Sequence, residues 1–173
     1  YHNLPDINGQ SQPHMIQWRS DYFSTENNSD RAVVEIGLGS AYPEGANLQA
    51  YYRRLVFQRD RERITLTEGL TFRDGNPAAR GNHLDFHLMT HHTPARGQTP
   101  GTLLLAHPES GQVRAQIAYD ADLAVVVTRI DHGDPRMADS WGDTLYRITL
   151  STKVPADTRE ATFEFEVIRT GGF

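Results

Sequence analysis

His83-Leu84-Asp85-Phe86-His87-Leu88-Met89-Thr90-His91 alternates without a break. Leu84, Phe86, Leu88 and Thr90 fall on one side of an extended chain, and His83, Asp85, His87, Met89 and His91 on the other, because successive side chains of a strand point to opposite faces. The first set reads as core and the second as the outward face. The rest of the chain repeats this logic. Ala32 to Leu38 sets Val34, Ile36 and Leu38 against Val33 and Glu35. Tyr51 to Arg59 and Arg63 to Phe72 flank Asp60-Arg61-Glu62 as a hairpin, with Ile64, Leu66 and Leu70 sharing a parity. Leu103 and Leu105, then Val113, Ala115 and Ile117, make two short strands around Pro108-Glu109-Ser110-Gly111. Leu123 to Ile130 is nearly continuous apolar and β-branched, which predicts a central strand covered on both faces. Tyr146, Ile148 and Leu150, then Phe163, Phe165 and Val167, alternate with polar partners. Three stretches read as loops: Ser20 to Asp30, pinned to the body by its two aromatics, Arg73 to Asn82, and Pro94 to Pro100. The expectation is about nine short strands and an all-β fold, an antiparallel β-sandwich with little or no helix.

A chain of 173 residues is long enough to bury a core as a single domain, 1–173. The sequence contains no cysteine, which excludes a disulfide framework and a thiolate metal site. A formal charge of -5 argues against nucleic acid and against a polybasic membrane surface as partners. No apolar run approaches the roughly 20 residues of a membrane span.

His83, Asp85 and His87 put two imidazoles and a carboxylate on one strand face at two-residue spacing, a ligand set that first-row metals accept. The other reading is a solvated sheet face. Arg53, Arg54, Arg59, Arg61 and Arg63 concentrate positive charge on one hairpin. Guanidinium forks of this kind meet acidic glycans; alternatively they pair with Asp60 and Glu62. Trp18, Trp141, Tyr51 and Tyr52 offer ring faces for a sugar or serve as core and rim packing. Asp134-Pro135-Arg136 reads as a turn, with Arg136 placed to reach a carboxylate of its own fold or of a ligand.

The chain opens Tyr1-His2-Asn3-Leu4-Pro5-Asp6-Ile7-Asn8-Gly9-Gln10-Ser11-Gln12. Asn8-Gly9 is a turn signal, since both residues tolerate positive φ, and Pro5 makes Leu4 to Ile7 an edge strand or an irregular extended segment. On residue type alone His2 is a surface histidine more often than a ligand. His2-Asn3, then Ile7-Asn8-Gly9-Gln10 and Gln12, resembles a stretch in the C-terminal β-domain of the heparinase II/III-like polysaccharide lyases. Three further pieces resemble the same family in the same order. They are Ala41-Tyr42-Pro43 before the strand with Arg53-Arg54, then Phe86-His87-Leu88-Met89-Thr90, then Asp134-Pro135-Arg136-Met137 with Trp141-Gly142.

The resemblance implies a β-eliminating lyase of uronic-acid-containing polysaccharides, periplasmic or secreted, that removes the C5 proton while neutralising the uronate carboxylate. It also implies that most catalytic residues lie in an α-helical toroid and in first β-strands upstream of Tyr1, so no catalytic residue is assigned in this chain. A divalent metal, zinc or calcium, would be held through His2 with its other ligands upstream, and Arg53, Arg54, Arg136 and Trp141 would meet an acidic polysaccharide. The chain then reads as a support and cleft-wall piece, inactive alone, whose partners are the upstream toroid and strands. Losing those strands predicts an open apolar edge at Tyr1 to Gln12, around Leu4 and Ile7, covered by a second chain carrying the upstream part or by another copy of this chain through strand addition. The alternative is a free-standing carbohydrate-binding or structural sandwich.

Overall fold

A computed structural model describes residues 3–73 and 81–170. Two antiparallel sheets form a sandwich. The smaller has the order β1 (Asp6–Ile7), β6 (Asn82–Thr90), β11 (Thr144–Val154), β10 (Ala124–Asp131). The larger runs β2 (Tyr22–Asn27), β3 (Arg31–Gly37), β4 (Leu48–Gln58), β5 (Arg63–Phe72), β12 (Glu160–Arg169), β9 (Val113–Ala118), β8 (Thr102–Ala106), β7 (Thr93–Arg96).

The alternation in β6 sets the sandwich. Leu84 and Phe86 are buried and Leu88 packs against the core, while His83, Asp85 and His87 lie on the outer face. Phe86 meets Phe163 and Phe165 of the facing sheet at ring separations of 4.9 and 5.1 Å. Ile148 and Leu150 of β11 and Leu103, Leu105 and Ile117 of β8 and β9 complete that interior. The β4–β5 hairpin forms as expected, with Gln58 opposite Arg63. Asn8 and Gly9 both take positive φ, 54° and 72°, the two-residue turn in which the chain doubles back and Ile7 bridges to Gln10.

Several expectations are corrected. Ser20 to Asp30 is not a pinned loop: Tyr22–Asn27 is an edge strand, and Tyr22 and Phe23 are exposed. Pro94 to Pro100 begins inside another edge strand, where a missing N–H is tolerated on the open side. Leu123 to Ile130 is not central. Among the described residues β10 pairs with β11 alone, and Val126 is 58% exposed, because an apolar run records composition and not how many neighbours a strand has. Asp134-Pro135-Arg136 opens a helix, α1 (Pro135–Trp141). The Asp134 side chain accepts from the Arg136 N–H, and Pro sits in the first turn. Asn82 is the buried first residue of β6 and not loop; residues 74–80 of that predicted loop lie outside the described residues. The Leu4–Ile7 edge is not bare, since Ile7 is fully buried and Leu4 packs on the core.

The eight-stranded sheet is wider than the four strands that cover it. Cross-strand register puts Phe23 beside Ile36 and Arg53, Val34 beside Leu55, and Phe57 beside Ile64 on the inward face. This end lies outside the shadow of the smaller sheet. Phe23 is 64% exposed, Ile64 is exposed, and Val34, Leu55 and Phe57 are half-buried. The result is an apolar shelf.

Candidate functional site

The outer face of the four-stranded sheet carries a groove in two parts. At one end, a cavity of about 220 Å³ is lined by Leu4, Pro5, Asp6, Ser11, Gln12, His87 and Arg147. Asp6 comes from β1, His87 from β6, and Arg147 and Thr149 from β11, brought together because His87 pairs with Thr149 and Met89 with Arg147. The His87 ring is held at both nitrogens, Nε2 3.1 Å from Asp6 Oδ2 and Nδ1 3.2 Å from Thr149 Oγ1. Ser11 Oγ donates to Asp6 Oδ1 at 2.5 Å. With both nitrogens engaged, His87 is a bracket between β1 and β11 and not a free base.

At the other end, a cavity of about 320 Å³ is lined by Asn3, Met89, Thr90, His91, Met137, Trp141 and Leu145. Trp141 is 54% exposed and its ring lies 6.0 Å from that of His91.

Asn3 links the groove to the interior. Its side-chain Oδ1 accepts from the Met89 N–H at 2.8 Å, supplying the partner that a neighbouring strand would give. Its carbonyl accepts from Arg53 Nη1 at 2.5 Å. Arg53 in turn forks onto Glu68, with Nε at 2.9 Å from Oε1 and Nη2 bonded to the same oxygen. Tyr51 donates its hydroxyl to Glu68 Oε2 at 2.8 Å. Tyr42 donates to the Pro5 carbonyl at 2.7 Å. Glu68 is 1% exposed. Burial pushes its carboxyl above the usual range, while the Arg53 guanidinium and the Tyr51 hydroxyl pull it back. Burial also raises both the Tyr42 and the Tyr51 hydroxyls, so these tyrosines remain neutral donors.

The predicted site residues separate in space. Arg53 and Arg54, adjacent in sequence, point to opposite faces of β4: Arg53 is largely covered and forks onto the buried Glu68, and Arg54 faces outward with Glu35 3.7 Å away. Asp60 takes Arg61 as predicted, but Arg63 pairs with Glu166, and Glu62 with Arg169. Tyr51 is core; Tyr52 lies over Gly69, exposed. Trp141 lines the groove, and Arg136 sits on the same short helix, exposed. His83, Asp85 and His87 share a face but not a focus. Asp85 Oδ1 lies 3.1 Å from His83 Nε2 and accepts from Ser151 Oγ at 2.5 Å, whereas His87 turns to Asp6. Among the described residues no group of three or more His, Asp or Glu side chains is arranged to hold a metal ion, so this trio does not fit one. His2 lies outside the described residues. Arg147, Asp6, Met137 and Glu68 are the residues that sequence reasoning missed.

A smaller cluster of three histidines stands beside the groove. The His92 ring lies 4.2 Å from that of His91 and 6.1 Å from that of His107. Burial, followed by the charges of His91, His107 and Arg114, lowers its pKa. The folded state therefore binds this proton less readily than the unfolded chain, so stability present above the unfolded value of about 6.5 is lost as pH falls through it. Thermal melts between about pH 8 and about pH 5 should show a fall in midpoint that His92→Gln flattens. An unchanged slope in the variant would remove His92 as the cause.

No family model matches the chain, and no curated protein matches its sequence. Solved structures do match. Heparan sulfate lyase HepC from Pedobacter heparinus superposes with a TM-score of 0.63 at 13% identity, covering 99% of this chain and 24% of that one. The heparinase III BT4657 gene product superposes at 0.62 and 8% identity, covering 98% of this chain and 24% of that one. What they share is the fold. The chain spans about a quarter of the length of the structures it matches, and the antiparallel sandwich expected from the alternation in β6 is the architecture that this quarter has in heparinase III. Among the described residues no helix is long and apolar enough to cross a membrane.

Proposed function

We propose that this chain is the β-sandwich part of a heparinase II/III-like polysaccharide lyase acting by β-elimination on uronic-acid-containing glycans, a support and cleft-wall piece that is inactive alone. The observation that carries the reading is the superposition of nearly the whole chain on a quarter of a heparan sulfate lyase. The apolar shelf of Phe23, Val34, Leu55, Phe57 and Ile64 supports it, because a sheet end of that composition seldom stays bare. Its occupant in this reading is the upstream part of the same parent, an α-helical toroid with the first β-strands. The location is periplasmic or secreted, and the parent's partner is an acidic polysaccharide.

In the parent a divalent metal, zinc or calcium, would be held through His2 with ligands supplied upstream. What this chain's described residues do is hold the start of the segment: Arg53 on the Asn3 carbonyl, Tyr42 on the Pro5 carbonyl, Asn3 on the edge of β6. A second reading, a free-standing carbohydrate-binding sandwich, draws on the burial of Ile7 and Leu4 by the chain's own residues.

Absorbance of the conjugated uronate product separates the two. The isolated chain should give no signal on heparan sulfate or alginate, and the product of the full coding sequence should give turnover on one of them. Turnover by this chain alone, at any pH or with any added metal, would defeat the reading, since proton transfer needs a positioned acid and base. Inactivity of the full product would favour the binding module.

A further inference from the structure

We infer that the cavity between α1 and the smaller sheet seats one uncharged pyranose ring, its C–H face on Trp141 and its hydroxyls at the Asn3 amide and the His91 ring. The first observation is where α1 spends its apolar residues. None of its seven residues is buried, yet Met137 and Trp141 stand four apart, hence on one face of the helix. Both line the cavity of about 320 Å³, whose lining also includes Met89 and Leu145 of the sheet. Trp141 remains 54% exposed there, and an indole held open at the rim of an apolar cavity suits the C–H face of a sugar. The volume falls at the lower end of the roughly 300 to 1,000 Å³ of small-ligand sites.

The second observation is that two hydrogen-bonding groups of this lining are uncommitted. Asn3 Oδ1 accepts from the Met89 N–H at 2.8 Å, which fixes the way the amide points and leaves its Nδ2 to donate elsewhere. Among the described residues nothing accepts from that Nδ2, and no hydrogen bond is made to the His91 ring, which meets the rings of His92 and Trp141. The third observation is charge. The lining contains no Asp, Glu, Lys or Arg, and His91 is its one ionisable side chain. A carboxylate or sulfate entering here would shed water against Met89, Met137 and Leu145 without a fixed cation to meet it, and that desolvation is costly. A hydroxyl sheds less and finds an amide donor and an imidazole. Apolar walls with a few polar groups at the edge are the usual make-up of a site for a small neutral ligand. The choice of a sugar over another ring with an apolar face and a polar edge rests on the lyase reading; the preference for an uncharged ring does not.

The test titrates the intact, isotope-labelled chain with the methyl glycosides of glucose, galactose and mannose, and separately with methyl glucuronide. Nuclear magnetic resonance follows the Trp141 indole N–H, the Asn3 side-chain amide and the Met89 backbone amide. At least one neutral glycoside should shift all three signals in a saturable way, and the glucuronide should bind several-fold more weakly. Trp141→Ala should weaken the neutral ligand by about tenfold, the order of loss for a truncated stacking aromatic, and Trp141→Phe should recover part of it. Asn3→Asp keeps the acceptor for the Met89 N–H and removes the donor, and His91→Phe keeps a ring and removes its nitrogens. Each should cost about three- to tenfold, the range for one lost hydrogen bond. Thermal melts establish that every variant is folded. No shift with any neutral glycoside, glucuronide binding as tightly as they do, or unaltered binding in Trp141→Ala would overturn the assignment. Its failure is separable from that of the lyase reading: neutral-sugar binding with these variant effects stands even if the full coding sequence yields an inactive product, and turnover by that product stands even if no glycoside binds in this cavity.

Discussion

Glu68→Ala is expected to destabilise the chain by about 3 to 5 kcal/mol, the usual result of removing one partner of a buried ion pair. Glu68 is 1% exposed and the Arg53 side chain 12%, so deleting the carboxylate strands a guanidinium where water cannot reach most of it. The Tyr51 hydroxyl loses its acceptor in the same step. Against a total stability of about 5 to 15 kcal/mol for domains in general, such a loss leaves the fold marginal. Replacing both partners, Arg53→Met with Glu68→Leu, should cost far less than the single change, because no charge is then left buried. Urea midpoints for the three proteins give the comparison. If Glu68→Ala unfolds at the wild-type midpoint, the pair is solvated and the geometry described for it is wrong. The double variant carries a second readout. It lacks the Arg53 donor to the Asn3 carbonyl, so amide exchange at Met89, whose N–H is held by the Asn3 side chain, should quicken even where global stability is kept.

That pair shows where sequence reading stops and why. The parity of Ile64, Leu66 and Leu70 on β5 is legible, and a carboxylate at position 68 stands on the same apolar face. A charge on a core parity is itself a signal. Its partner could also have been found: with Gln58 opposite Arg63 across the hairpin, counting five residues back along each strand sets Arg53 against Glu68. The alternations in β6, β11 and β12 and the Asn8-Gly9 turn were legible because they depend on neighbours in the chain. β10 was misread because its neighbours are not local. Val126 and Val127 look like the middle of a sheet by composition, and only the strand order makes them an edge. α1 offered capping signals at Asp134, Pro135 and Gly142, but seven residues are too few for a helical period to stand out. The groove was illegible for a stronger reason. His87 meets Thr149, and Met89 meets Arg147, across some sixty residues of intervening chain, and no local pattern specifies that register.

Phe86→Ala should destabilise the chain by about 3 to 5 kcal/mol, whereas His87→Ala, its neighbour in sequence, should cost about 1 to 2 kcal/mol. The difference follows from the face each occupies. Phe86 is 2% exposed and tilts against Phe163 and Phe165 of the opposite sheet. Truncating it removes the transfer free energy of a phenyl group, and it leaves a void between two sheets whose backbones are fixed by their ladders and cannot close on it. His87 loses two hydrogen bonds, to Asp6 and Thr149, but these partners are half-buried at an open cavity and the Asp6 side chain is 34% exposed, so water entering the vacated space can take up part of the loss. Urea denaturation of the two variants decides the matter, with the slope showing whether either one changes the compactness of its states. Equal losses would mean that the outer face of β6 is as dry as the inner one. His87, Asp6 and Thr149 would then form a buried polar network under a covering layer.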